Sequence, residues 1–224
     1  MKLNYKIFSL SDSAITIDFG NVIDTQINDF VMKLFQSCRQ NPFEGMTEAM
    51  PAYASLTIFY DVFAVKKNYS DFKTAFDFVK HYLENNLQNP DNQFITEFSL
   101  VKIPVIYDGE DLALVSETNQ LTIDDVIKIH TAPTYRVFMM GFLPGFAYLG
   151  GLDTRIATPR KATPRTKVAA GSVGIAGNQT GIYPSESPGG WQLIGRTERQ
   201  LYTPNLPEIT LLKAGDYVKF FACS

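Results

Sequence analysis

Cysteine, histidine and tryptophan are scarce in this 224-residue chain, at two, two and one. Cys38 and Cys223 lie far apart in unrelated surroundings, so neither a disulfide framework nor a metal-ligand spacing follows. A reduced, cytoplasmic setting is the default expectation. His81 and His130 form no metal-binding helix pair, and neither stands beside a Ser, Cys or Asp in a useful register. Self-contained Ser-His-Asp or Cys-His chemistry is therefore not expected, and no metal site is. There is no Walker A motif, so nucleotide use is not written in this chain. A surplus of positive charge is also missing. The formal net charge is −3 and the pI about 5.4, which argues against a general nucleic-acid binder. No apolar run approaches the roughly 18 residues needed to span a bilayer, so no membrane role is expected. The segment after Lys2 and Lys6 is broken by Ser9, Ser11, Asp12 and Ser13, too short and polar for a signal peptide. Internal repeats and low-complexity tracts are absent.

What is present is a globular composition, with 45% hydrophobic and 19% charged residues, enough for a buried core in one or two domains. Glycine and proline are concentrated. The stretch 141–196 holds 11 of the 15 glycines and 5 of the 12 prolines. Glycine lets a ligand or a second backbone approach closely, and proline fixes φ, so tight turns between short strands are expected there. Six cations (Arg155, Arg160, Lys161, Arg165, Lys167, Arg196) stand against Asp153 and Glu186 in this stretch, a local charge of +4 on an acidic protein. Such a surface suggests a site for a small anion; the bland alternative is a loop-rich barrel with basic turns.

Along the chain, residues 5–9 and 14–19 read as short strands. A helix starts at Asp24 or Thr25, with Ile27, Phe30, Val31, Leu34, Phe35 and Cys38 on one face. Two strand-like pieces flank Pro51, the second alternating Leu56, Ile58 and Tyr60. A second helix is expected from Ser70 as N-cap, its stripe Phe72, Ala75, Phe76, Val79, Tyr82 and Leu83. An α+β sandwich with both helices on one sheet face would bury both stripes. The polar run 86–92 is the linker candidate. Beyond it come a strand over 94–106, with Pro104 pointing to an edge or bulge, and a turn at Asp108-Gly109. Helical pieces at 110–118 and 123–130 follow, the latter with a Thr122/Asp125 capping box. Residues 135–141 read as a buried strand, and EITLL and DYVKFFA as two closing strands. So many strand edges favour a closed barrel. The expected domains are 1–88 and 93–224.

Four ordered motifs, GFLPGFAYLGGLD, PRKATPR, GSVGIAGNQTGIYP and SPGGWQLIGRT, resemble the family of the B-type subunit of 5-oxoprolinase, which includes allophanate hydrolase subunit 1 homologues and KipI-type inhibitors of a sporulation histidine kinase. Ala169 stands where the family usually carries proline. The resemblance implies a small N-terminal α/β sandwich domain and a C-terminal cyclophilin-like β-barrel. It also implies partners, proteins like the C-type and A-type subunits of 5-oxoprolinase, with which the enzyme opens 5-oxo-L-proline to L-glutamate using ATP. The polypeptide that binds ATP is left open. Alternatives are a KipI-type kinase inhibitor, or a subunit in allophanate or urea degradation. An open sheet edge could also pair with its copy, giving a homodimer.

Lactam opening builds negative charge on the carbonyl oxygen, and the substrate already bears a carboxylate, so fixed donors in a water-poor pocket are required. Arg160 and Arg165 could clamp a carboxylate or phosphate, or be solvated loop charges. Ser172, Gln179 and Tyr183 offer neutral polar groups that could orient a ligand, Gln179 foremost. Gly189 and Gly190 could expose backbone N–H groups to an anion. Trp191 could stack on a ligand or pack in the barrel mouth.

Overall fold

The computed structural model describes residues 4–88 and 98–223. The chain divides into two compact units, Met1–Glu97 and Phe98–Ser224. Residues 89–92 of the expected linker and 94–97 of the expected strand lie outside the described residues.

In the first unit, β1 (Lys6–Ser11), β2 (Ala14–Asp18), β3 (Met46–Pro51) and β4 (Ser55–Tyr60) form one antiparallel sheet in the order β1-β2-β4-β3. Strand period puts Ile15 and Ile17 on the same face as Leu56, Ile58 and Tyr60, all buried. Helix α1 (Thr25–Gln40) starts where the Asp24 side chain accepts from the Ile27 N–H at 2.9 Å. It packs Val31, Leu34 and Cys38 into that face, and α3 (Ala75–Gln88) adds Phe78, Val79 and Leu83. Each such fully buried aliphatic side chain contributes about 1.5–3 kcal/mol.

One helix of this unit is not among the expected elements, and another starts later than expected. Val62–Asn68 is a helix, α2, capped by Asp61, whose carboxylate accepts from Phe63 N and Ala64 N at 2.8 and 3.0 Å. The next helix begins at Ala75, not after Ser70. Its start is set by Thr74 and Asp77, whose side chains and backbone N–H groups bond reciprocally at 3.0–3.1 Å, a capping box.

The second unit is a seven-stranded sheet curled into a nearly closed barrel. Its strands are β5 (Leu100–Val105), β6 (Tyr135–Met140), β7 (Ala147–Gly150), β9 (Ser172–Ala176), β10 (Gln179–Ile182), β12 (Gln192–Arg196) and β13 (Tyr217–Ala222), in the order β12-β9-β10-β7-β6-β13-β5. Pro104 sits on β5, at the end of that order, as its missing donor requires. The gap between β5 and β12 is bridged at Ile106 and Arg196, whose N–H and C=O groups exchange two bonds of 2.8 Å. A short ribbon of β8 (Arg165–Val168) and β11 (Ser187–Gly189) lies beside the barrel order. Helices α4 (Leu112–Thr118) and α5 (Ile123–Thr131) pack on β12 and β13, and the Thr122/Asp125 capping box forms. The core joins Ile103, Val115, Val126, Val137, Leu149, Ile175 and Val218. EITLL is not a strand. It contributes only the bridge Thr210 to Tyr202, because β13 already has β5 and β6 on its two edges.

Candidate functional site

The glycine-rich stretch builds a cleft of about 680 Å³ on one side of the second unit. A two-residue hairpin loop starts one wall. Ala176 pairs with Gln179, and Gly177 takes φ 58° at the first loop position, a conformation that favours glycine. The hairpin presents Gln179 to the cleft. The opposite wall is the loop Pro159–Pro164, and Gly189, Gly190 and Trp191 complete the rim. The floor is aromatic. Phe146 stands edge-on to Trp191 (5.5 Å between centroids, 90°), to Tyr183 (5.4 Å, 77°) and to Phe142 (5.5 Å, 86°). Such tilted contacts favour one ring arrangement over a loose apolar pool. Phe142 holds φ 70° and is 60% exposed at the mouth; a bulky residue in that region is uncommon and marks a constrained loop.

Of the residues singled out from sequence, Arg160, Gln179, Tyr183, Gly189, Gly190 and Trp191 all line this one cleft. Arg165 and Ser172 do not. Arg165 turns its guanidinium onto Asp111 and Glu110 and donates to the Trp191 carbonyl at 3.1 Å. Ser172 is buried at the start of β9, where its carbonyl accepts from the Tyr183 N–H at 2.9 Å. Gly189 has a structural task beyond its backbone N–H. A Cβ there would lie 2.4 Å from the Tyr183 hydroxyl, so only glycine lets that ring close the cleft wall.

The local positive charge resolves into pairs. Arg155 binds Asp153, Lys161 binds Asp111, Lys167 binds Glu186 and Arg196 binds Asp108, with Arg165 on Glu110 and Asp111. Three of these acids, Asp108, Glu110 and Asp111, come from outside the stretch, which is why its local charge overstates the basic surface. Among the described residues, Arg160 alone of the six cations has no ion pair, and it lies in the cleft. Its charge is felt by two phenols. Burial raises the pKa of Tyr148 and of Tyr183, and Arg160 partly offsets both, as the Trp191 backbone N–H does for Tyr183. Both hydroxyls stay neutral at physiological pH.

Asp111 is the residue that sequence reasoning missed. Its neighbours Asp108 and Gly109 suggested only a turn, and its partners lie 50 to 82 positions away. Burial alone would raise its pKa; the Leu193 N–H, Arg165 and Lys161 together hold it below the usual carboxylate range. His130 lies outside the cleft lining, in the barrel interior. It is fully buried between Tyr135 and Phe220, with Nδ1 2.7 Å from the Tyr107 hydroxyl and Nε2 2.9 Å from Thr180 Oγ1. Because Thr180 donates to the Gly174 carbonyl at 3.0 Å, it accepts from Nε2–H, which leaves Nδ1 to accept from Tyr107. No cluster of three or more His, Cys, Asp or Glu that could hold a metal occurs among the described residues.

Residues 5–212 match the carboxyltransferase domain, subdomain C and D. The chain belongs to this family. A Bacillus subtilis protein named as the B-type subunit of 5-oxoprolinase is 46% identical over the full chain, which spans 95% of it. A Haemophilus influenzae protein of the same name is 57% identical over 123 residues, 54% of this chain and 58% of that one. The resemblance to this 5-oxoprolinase component therefore holds from one end of the chain to the other. The crystal structure of TTHA0988 superposes with a TM-score of 0.82 at 33% identity, covering 94% of this chain and 40% of that longer one. The Kluyveromyces lactis urea amidolyase shares the fold at 20% identity, with a TM-score of 0.77, over 98% of this chain and 15% of that one. No helix among the described residues is long and apolar enough to cross a membrane.

Proposed function

We propose that this member of the carboxyltransferase subdomain C and D family is a subunit of an ATP-dependent 5-oxoprolinase, and that its barrel cleft holds the anionic lactam. The observation that carries this reading is Arg160, a cation without an ion pair among the described residues, set in a cleft walled mainly by aromatic rings, prolines and glycine backbone, with Gln179 beside them. A guanidinium there can take the substrate carboxylate as a two-point contact. The ring would lie against Phe146 and Trp191. The neutral hydroxyls of Tyr148 and Tyr183 can donate to a carbonyl oxygen as charge develops on it. In the overall reaction ATP and two waters are consumed: one water adds to the lactam carbonyl carbon, the C–N bond breaks and the nitrogen leaves with a proton as the amine of glutamate, while the second water ends in the phosphate released with ADP.

This chain's part in the proposal is to bind and orient the lactam. No Walker A loop occurs in the sequence, and calorimetric titration of each separated subunit with ATP identifies the polypeptide that holds the nucleotide. In TTHA0988 the matched region is only 40% of the chain, so there the same unit is covalently joined to further sequence. The companions proposed for this chain are proteins like the C-type and A-type subunits of 5-oxoprolinase.

The experiment is reconstitution. The chain alone should release no glutamate from 5-oxoproline, and the chain with both partners and ATP should release glutamate and phosphate. Absence of glutamate from the complete set overturns the reading. A second reading, a part in urea breakdown, is favoured only by 24% identity to the Saccharomyces cerevisiae urea amidolyase over 212 residues. Urea consumption by the complete set, with 5-oxoproline untouched, would replace the first reading with it.

A further inference from the structure

We propose that Asp111 is a positioning residue of the cleft, fixing the loop that carries Arg160 against the strand that follows Trp191. The step from loop position to substrate affinity rests on the carboxylate role given to Arg160 above. Asp111 occupies the N-cap position of α4, where an aspartate ordinarily accepts from the first-turn N–H groups. Here its side chain makes no capping bond. Both carboxylate oxygens are turned elsewhere: Oδ2 accepts from the Leu193 N–H at 2.7 Å and from Arg165 Nη2, and Oδ1 accepts from Lys161 Nζ at 3.2 Å. Its own N–H donates to the Leu193 carbonyl at 2.9 Å. Asp111 is thus clipped by two bonds to β12, two residues beyond Trp191.

Lys161 and Arg165 bracket the other wall. One follows Arg160 directly and the other stands at the first residue of β8, so a single carboxylate, only 6% exposed, holds both ends of the segment next to Arg160. Two further ties agree with a pinned loop: Lys161 N to the Gly190 carbonyl and Gln192 Nε2 to the Pro159 carbonyl, each 2.8 Å. No ion pair holds Arg160 itself among the described residues, so its placement is inherited from these neighbours. A displacement of about 1 Å at a substrate-orienting group can cost on the order of a hundredfold in rate.

The test has two arms. Trypsin cleavage after Arg160, followed by mass spectrometry on the intact chain, reads how tightly the loop is held. Asp111→Asn should speed it by at least about fivefold, since local opening governs cleavage, while Asp108→Asn, which removes an exposed pair with Arg196, should not. The second arm is KM for 5-oxoproline in the reconstituted enzyme. Asp111→Asn should raise it about tenfold alone and less than about twofold in the Arg160→Gln background, because coupled residues are non-additive. Unchanged cleavage overturns the proposal, and so does an equal KM effect in both backgrounds. Faster cleavage combined with an Arg160→Gln enzyme of normal KM sustains the loop-fixing role and overturns only the carboxylate reading. Should Asp111→Asn fail to fold, Lys161→Met removes one tie from a part-exposed side chain, and unchanged cleavage and KM in that variant overturn the proposal equally.

Discussion

Replacing Gly189 by alanine tests whether the cleft wall is as tightly fitted as described. The added Cβ would meet the Tyr183 hydroxyl at 2.4 Å and two further ring carbons at 2.8 Å. The ring has little room to retreat. It is 1% exposed and packed edge-on against Phe146. Gly189 is equally held, since it pairs with Arg165 across the β8–β11 ribbon. Overpacking of this kind costs about 1–3 kcal/mol. For a unit of this size that is a fall in Tm of roughly 4–12 °C, read by calorimetry or by near-ultraviolet circular dichroism. Gly190→Ala is the control. Its Cβ would find Pro164 and Lys161 atoms at 3.6–3.7 Å, ordinary contact distance, so its Tm should stay within about 2 °C of the parent. Combining Gly189→Ala with Tyr183→Phe removes the closest clash and should recover part of the loss. Equal Tm values for the two alanine variants would falsify the packing argument, because it distinguishes adjacent glycines by a single ring.

Three further outcomes are expected. Arg160→Gln in the reconstituted enzyme should raise KM for 5-oxoproline by about 10- to 100-fold, the loss of one charged hydrogen-bonded contact of about 1.5–3 kcal/mol, with the Tm of the chain unchanged. Burial pushes His130 down to about 3. The unfolded chain then takes up a proton below about pH 6.5 that the folded chain does not, so stability is full above that pH and falls as the medium is acidified toward pH 3. The contribution is about 2 kcal/mol between pH 7 and pH 5, and urea titrations at the two values should show it shrink in His130→Gln. Finally, burial raises the Cys38 thiol to about 11 despite the Tyr82 hydroxyl beside it, whereas Cys223 is exposed. A thiol reagent at neutral pH should titrate one equivalent in the folded protein and two after denaturation.

Much of this molecule could be read in advance where the signal was local. Asp24 and the helical stripe through Val31, Leu34 and Cys38 defined α1, and alternation of Leu56, Ile58 and Tyr60 defined β4 with its buried face. Helix α2 escaped because seven residues are too few to show a period, and its cap, Asp61, closes a strand-like run. EITLL has a strand's composition, yet a strand needs a free neighbour, and the sheet offers none. The site divides in the same way. Glycine and aromatic spacing pointed to Gln179, Gly189, Gly190 and Trp191, which one turn-rich segment brings together. The division of labour between Arg160 and Arg165 was invisible, because it depends on Asp111, a carboxylate 49 and 54 positions upstream. Charge counted along a segment cannot see a partner that only folding delivers.

The parallel pairing of β13 with β5 has a consequence for biosynthesis. Leu100–Val105 must wait for Tyr217–Ala222, more than a hundred residues later, before its ladder can form. During translation the first of these strands therefore leaves the ribosome with no ladder partner, while the four-stranded sheet of the other unit already has every strand it needs. Nascent chains stalled before residue 217 should be bound by chaperones through the unfinished barrel, and that binding should be lost once residue 222 has cleared the exit tunnel.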